Sequence, residues 1–117
     1  MTITAAQLVC RCCGRGAELV ASRLLTALNR IEADFGPPLT VTSGYRCAKH
    51  NAEVGGSKHS AHLSGEAADI SDRTGALKLW MTEDMLAIYG LWAEDYWATP
   101  NWLHIQVRPA HRRIFAP

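Results

Sequence analysis

Ser60 to Asp69, reading Ser-Ala-His-Leu-Ser-Gly-Glu-Ala-Ala-Asp, constrains the fold more than any other stretch of the chain. An imidazole, His62, and a carboxylate, Asp69, stand seven residues apart, with Gly65, Ala67 and Ala68 between them where a backbone turns and packs closely. Both are metal-ligand types. They suit Zn²⁺, whose catalytic sites take three protein ligands and leave a fourth position open.

The third ligand has to come from elsewhere, and His104 in Asn-Trp-Leu-His-Ile-Gln-Val is the best candidate. Leu103, Ile105 and Val107 alternate with Trp102, His104 and Gln106, the period of a half-buried strand. The same rule places Ala67, Asp69 and Ser71 on one face of a second strand and Ala68 and Ile70 on the other. Two such strands in one sheet present Asp69 and His104 side by side, with His62 closing the site from the loop that enters the first.

These residues carry a resemblance. The chain resembles the zinc D-alanyl-D-alanine carboxypeptidase family, which also holds vancomycin-resistance dipeptidases, bacteriophage L-alanyl-D-glutamate endolysins and, as a distant fold relative, the hedgehog signalling domain. Its motif S-x-H-x-x-G-x-A-x-D matches at Ser60, His62, Gly65, Ala67 and Asp69. Upstream, Thr42-Ser-Gly-Tyr-Arg-Cys, Asn51 and Val54-Gly-Gly look like the family's S-G-Y-R segment and following turn; downstream, Trp102-Leu-His104 looks like its closing element. The likeness spans Leu39 to Val107.

The resemblance implies an α+β fold, a small antiparallel sheet carrying one Zn²⁺ and packed against two or three helices. It implies a zinc peptidase cutting a bond beside a D-amino acid in peptidoglycan, in lysis by a phage or in wall remodelling. Zinc held by two neutral imidazoles and a carboxylate acidifies water from ~15.7 toward ~7. Arg46, matching the family's arginine, would hold a substrate carboxylate or carbonyl and steady the oxyanion, because a guanidinium fork stays charged and binds bidentately. A structural role for Arg46 as a carboxylate's partner stands beside that reading. Ser60 and Trp102 are assigned to substrate contact, Ser60 also as a donor orienting a ligand.

The general base is where the sequence departs from the family. Relatives generally carry an acidic residue shortly before the last ligand, often three residues ahead, and here that position is Asn101. Asp95 is the first replacement, followed by Glu94 and His59. The alternative reading is a non-catalytic zinc-binding module, such as a phage particle component; a globular domain without metal is the third.

A chain of 117 residues, 48% hydrophobic and 20% charged, reads as one domain, 1–117, with enough apolar side chains for a single core. A formal net charge of +1 gives no footprint for nucleic acid or a membrane surface. Met1 to Gln7 has no basic stretch of the kind that begins a secretory signal, and no apolar run nears the ~18 residues of a spanning helix. The expectation is a cytoplasmic product, a monomer, that meets peptidoglycan peptide after release or as part of a phage.

Helices are expected over 17–35, where Val20, Leu24, Leu28, Ile31 and Phe35 line one face, and over 73–89, broken near Thr82. Gly36-Pro37-Pro38 ends the first. Residues 47–57 read as a loop walling the cleft, and 91–97 as a strand or cleft edge. Tyr45 reads as a packed aromatic, Glu66, His50 and His59 as surface, and the end of the chain as a tail packed by Ile114 and Phe115. Cys10, Cys12, Cys13 and Cys47 leave three readings open: unbonded thiols, a disulfide from Cys12 or Cys13 to Cys47, or a second metal, although C-x-C-C lacks the usual C-x-x-C knuckle.

Overall fold

A computed structural model describes residues 3–117; Met1 and Thr2, which begin the segment read above for a signal, lie outside the described residues. The fold is α+β. Five strands form one sheet: β1 (Val41–Ser43), β2 (Ala67–Ser71), β3 (Trp92–Glu94), β4 (Trp102–Gln106) and β5 (Ile114–Phe115), in the order β1-β2-β4-β3-β5. Four helices accompany it: α1 (Ser22–Phe35), α2 (Ala48–Glu53), α3 (Ala76–Trp80) and α4 (Glu83–Tyr89).

The sheet is mixed rather than wholly antiparallel. β1, β2, β4 and β3 pair antiparallel, but β5 returns along β3 in parallel, Ala93 opposite Ile114 and Glu94 opposite Phe115. The expected tail is thus the edge strand, held by the N–H of Ala93 and Asp95 donating to the carbonyls of Arg113 and Phe115.

Alternation decides the two faces of the central pair. Ala68 and Ile70 of β2, with Leu103 and Ile105 of β4, are fully buried against Leu24, Leu28 and Ile31 of α1 and against Met81, Leu86 and Leu91. Ala67, Asp69, His104 and Gln106 take the opposite face. Removal of these aliphatic groups from water is the main driving force of folding, each fully buried Leu or Ile contributing about 1.5–3 kcal/mol.

Three helix expectations are corrected. Residues 17–19 form a 3₁₀ turn, and α1 starts only at Ser22, because the Ala21 N–H donates to the Gly65 carbonyl at 2.9 Å instead of joining a continuous ladder. Within 47–57 the chain is not all loop: α2 runs from Ala48 to Glu53, with the Cys47 sulfur accepting the His50 N–H. The helical region 73–89 starts later, at Ala76, where the Asp72 carboxylate accepts the N–H of Leu77 and Lys78, both at 3.0 Å. Its break at Met81 and Thr82 is where the Thr82 hydroxyl caps α4 by accepting the Met85 N–H. Among the described residues, no helix is long and apolar enough to cross a membrane.

Candidate metal centre

Asp69 and His104 are register partners across β2 and β4. Side chains opposite each other on one face of an antiparallel pair are close neighbours, and here Asp69 Oδ1 lies 2.9 Å from His104 Nδ1. His62 comes from a 3₁₀ turn, Ala61–Ser64, whose first N–H groups need a cap; the Ser60 hydroxyl accepts the His62 N–H at 3.2 Å. The turn puts His62 Nε2 3.2 Å from the same Asp69 oxygen. The two imidazoles meet edge to face with centroids 5.1 Å apart, and all three side chains are buried.

Gly65 makes that turn possible. Its φ is +72°, and a Cβ there would stand 1.9 Å from the Leu19 carbonyl oxygen. Gly44 plays a similar part on the other side: a Cβ would stand 2.6 Å from Leu8 atoms, and its carbonyl reaches His62 Nδ1 at 2.7 Å. Tyr45 packs over Gly16, where no Cβ would fit beneath the ring.

The hydrogen bonds around the site decide which nitrogen of each imidazole is free. A carbonyl only accepts, so His62 Nδ1 carries the proton toward Gly44, and Nε2 presents its lone pair to Asp69. The Gln106 amide nitrogen donates to the Arg108 carbonyl at 2.9 Å, which turns Oε1 toward His104 Nε2 at 2.8 Å. His104 Nε2 therefore donates, and Nδ1 faces Asp69 with its lone pair. With a cation in place, two imidazole lone pairs and a carboxylate oxygen would converge on it, the donor set that Zn²⁺ takes. These atoms all lie within 4.8 Å of one another.

Without a metal the same atoms share protons. Burial works against ionising Asp69, yet hydrogen bonds and charge from His104 and His62 outweigh it and hold the carboxyl well below its usual range. Burial likewise opposes charging His104, but the Asp69 carboxylate, with lesser help from Gln106 and the Glu94 charge, raises its pKa.

Arg46 holds the other Asp69 oxygen. Its Nη2 donates to Oδ2 at 3.2 Å, Nε to the Ser43 hydroxyl at 3.0 Å, and Nη1 to the Asn51 side-chain oxygen at 3.2 Å. Of the two roles read for Arg46, partner of a carboxylate is the one the contacts display, and the residue also lines the cleft. That cleft, about 470 Å³, opens over the triplet, with His59, Ser60, Trp102 and Arg108 on its walls.

Asp95, the first replacement for the base, is not on the cleft: its carboxylate accepts the Trp97 N–H at 3.1 Å and caps a 3₁₀ turn, Tyr96–Ala98. The pleat explains this placement. Trp92 pairs with Gln106, so Trp92 and Glu94 take the site's face, and Glu94 lines the cleft. Asn101 is exposed and gives its carbonyl to the Asp72 N–H.

Sequence reasoning passed over four contributors. Gln106 had a signal, two residues after His104 on one face. Arg108, at the start of the tail, donates to Glu66, the Ser64 hydroxyl and the His59 carbonyl, which ties down the loop bearing His62. Phe115, carried in by β5, stands edge-on to His104 with centroids 6.2 Å apart. The Gly44 carbonyl and the β5 contact had no local signal.

A mixed sheet with two histidines and an aspartate converging under an open cleft defines a protein with a site that could hold a metal ion. The family is specific: the chain belongs to the Peptidase M15 family, whose model matches residues 2–106. Peptidases of this family are metal dependent, and their substrates are peptides. No curated protein matches the chain significantly.

Proposed function

We propose that the protein is a zinc peptidase that hydrolyses a peptide bond beside a D-amino acid in peptidoglycan. The observation that carries this reading is the set of three lone-pair atoms, on His62, Asp69 and His104, aimed at one another beneath an open cleft. The substrate class is what the resemblance carried by the S-x-H-x-x-G-x-A-x-D and S-G-Y-R motifs implies.

When bound to the triplet, Zn²⁺ supplies an acidified water and polarises the scissile carbonyl. Gly44 and Gln106 keep each imidazole in the tautomer that leaves its ligand nitrogen free. Arg46 engages Asp69 Oδ2, leaves Oδ1 toward the histidines, and brings a fixed positive charge to the cleft for the developing oxyanion. Glu94 takes the nucleophile's proton and returns it to the leaving amine. Trp102 and Ser60 form walls against which the peptide lies. The enzyme works as one domain, is made in the cytoplasm, and reaches the wall on lysis or inside a phage particle.

Asn101 favours a second reading, a zinc-binding module without turnover, since it cannot hold the water's proton. Release of new amino termini from purified peptidoglycan by the zinc-loaded protein, abolished in His104→Ala, supports the peptidase; zinc bound at the triplet with no release supports the module.

A further inference from the structure

Four cysteines remain that this chemistry does not use. Cys10, Cys12 and Cys13 lie in the amino-terminal segment and Cys47 follows Arg46, yet their sulfurs all fall within 4.8 Å of one another. Cys10 and Cys12 sulfurs are 3.6 Å apart, Cys12 and Cys47 sulfurs 3.4 Å. Tetrahedral zinc with Zn–S bonds of ≈ 2.3 Å requires sulfurs about 3.8 Å apart. Those two separations fall slightly short of that spacing, and no pair in the cluster exceeds 4.8 Å.

The backbone is arranged for sulfur ligands as well. Read as C-x-C-C the segment lacks a knuckle, but Cys10 and Cys13 are themselves spaced C-x-x-C. Their turn is closed by the Gly14 N–H donating to the Cys10 carbonyl at 2.7 Å, with Gly14 at φ +66°. Two amides point at sulfurs: the Cys47 N–H at Cys10 Sγ and the His50 N–H at Cys47 Sγ, both 3.4 Å. N–H groups aimed at sulfur stabilise thiolate charge.

We propose that Cys10, Cys12, Cys13 and Cys47 bind a second metal ion, a structural zinc in tetrahedral thiolate coordination that fastens the amino-terminal segment to the loop carrying Arg46. The ion cross-links elements already held together, since the Tyr45 N–H donates to the Leu8 carbonyl and the Cys47 N–H to Cys10 Sγ. It braces the wall from which Arg46 grips Asp69, and stands independently of whether the triplet is catalytic. A single Cys12–Cys47 disulfide would use two of the four sulfurs and leave Cys10 and Cys13 without a role.

The test uses the full chain, purified under reducing conditions. Expected are two zinc ions per chain by elemental analysis, one in His104→Ala, and one in the double variant Cys12→Ser/Cys13→Ser, whose substitutions fall on exposed side chains. Reconstituting the wild-type protein with Co²⁺ should give an intense thiolate-to-cobalt charge-transfer band that persists in His104→Ala. This spectrum decides the matter even if the cysteine variants fail to fold. Absence of that band, or a mass short by one pair of hydrogens in a second preparation made without reductant that holds one zinc at most, overturns the proposal. A thiolate band with no zinc lost in His104→Ala upholds the cysteine site and removes the triplet's ion instead.

Discussion

Gln106 Oε1 lies 2.8 Å from His104 Nε2, and the amide is oriented by its own donation to the Arg108 carbonyl. A residue two places along β4 thereby selects the tautomer of its neighbour and aims Nδ1 at Asp69. Gln106→Leu should keep the strand and lose this control. Because partners of ligating histidines typically matter 10–100-fold for affinity, zinc binding in competition with a chelator should weaken by about that factor. Unchanged affinity would mean the amide is incidental.

Glu94 and Asp95 are neighbours with opposite environments, one on the cleft and one capping a turn. Glu94→Gln should lower kcat by about 10²–10⁴, the usual contribution of a general base, with zinc content unchanged. Asp95→Asn should leave kcat within a few-fold. The reverse ranking would return the role to Asp95.

Much of this centre is legible in the chain, for physical reasons particular to it. Period-two alternation around Asp69 and His104 puts both on one face, and the buried Ala68, Ile70, Leu103 and Ile105 leave no other face available. The face of Glu94 is not legible, because β3 has three residues, too few for alternation to declare its phase; only its pairing with β4 does so. The start of α1 is not legible locally, because a distant carbonyl, that of Gly65, takes the Ala21 N–H. Phe115 reaches His104 through a parallel pairing that no local pattern encodes.

Gly65 is the least replaceable residue of the His62 turn. Gly65→Ala meets the Leu19 carbonyl oxygen at 1.9 Å in a left-handed conformation, so the backbone of both segments must move. Combined strain and lost packing should cost about 3 kcal/mol, read from denaturant midpoints of the metal-free protein. A loss under about 1 kcal/mol would show that the two segments do not pack as described.

Stability of the metal-free protein should depend on pH from both sides. The raised pKa of His104 gives stability fully present below the unfolded value of ≈ 6.5 and lost as pH rises through the folded value. The depressed pKa of Asp69 gives stability present above ≈ 3.9 and lost as pH falls toward its folded value. Chelator-treated protein should therefore lose stability as pH climbs beyond the ordinary histidine range, and Asp69→Asn should abolish that decline. Zinc affinity should rise over the same range, since metal and proton compete for His104. A flat profile in both forms would contradict the proton sharing assigned here.

The most direct measurement is anomalous diffraction at the zinc edge from crystals grown with Zn²⁺. The account predicts a peak within bonding distance of His62 Nε2, Asp69 Oδ1 and His104 Nδ1, with the remaining vertex open to the cleft. No peak between those atoms, or one whose fourth position is filled by a protein side chain, would contradict it.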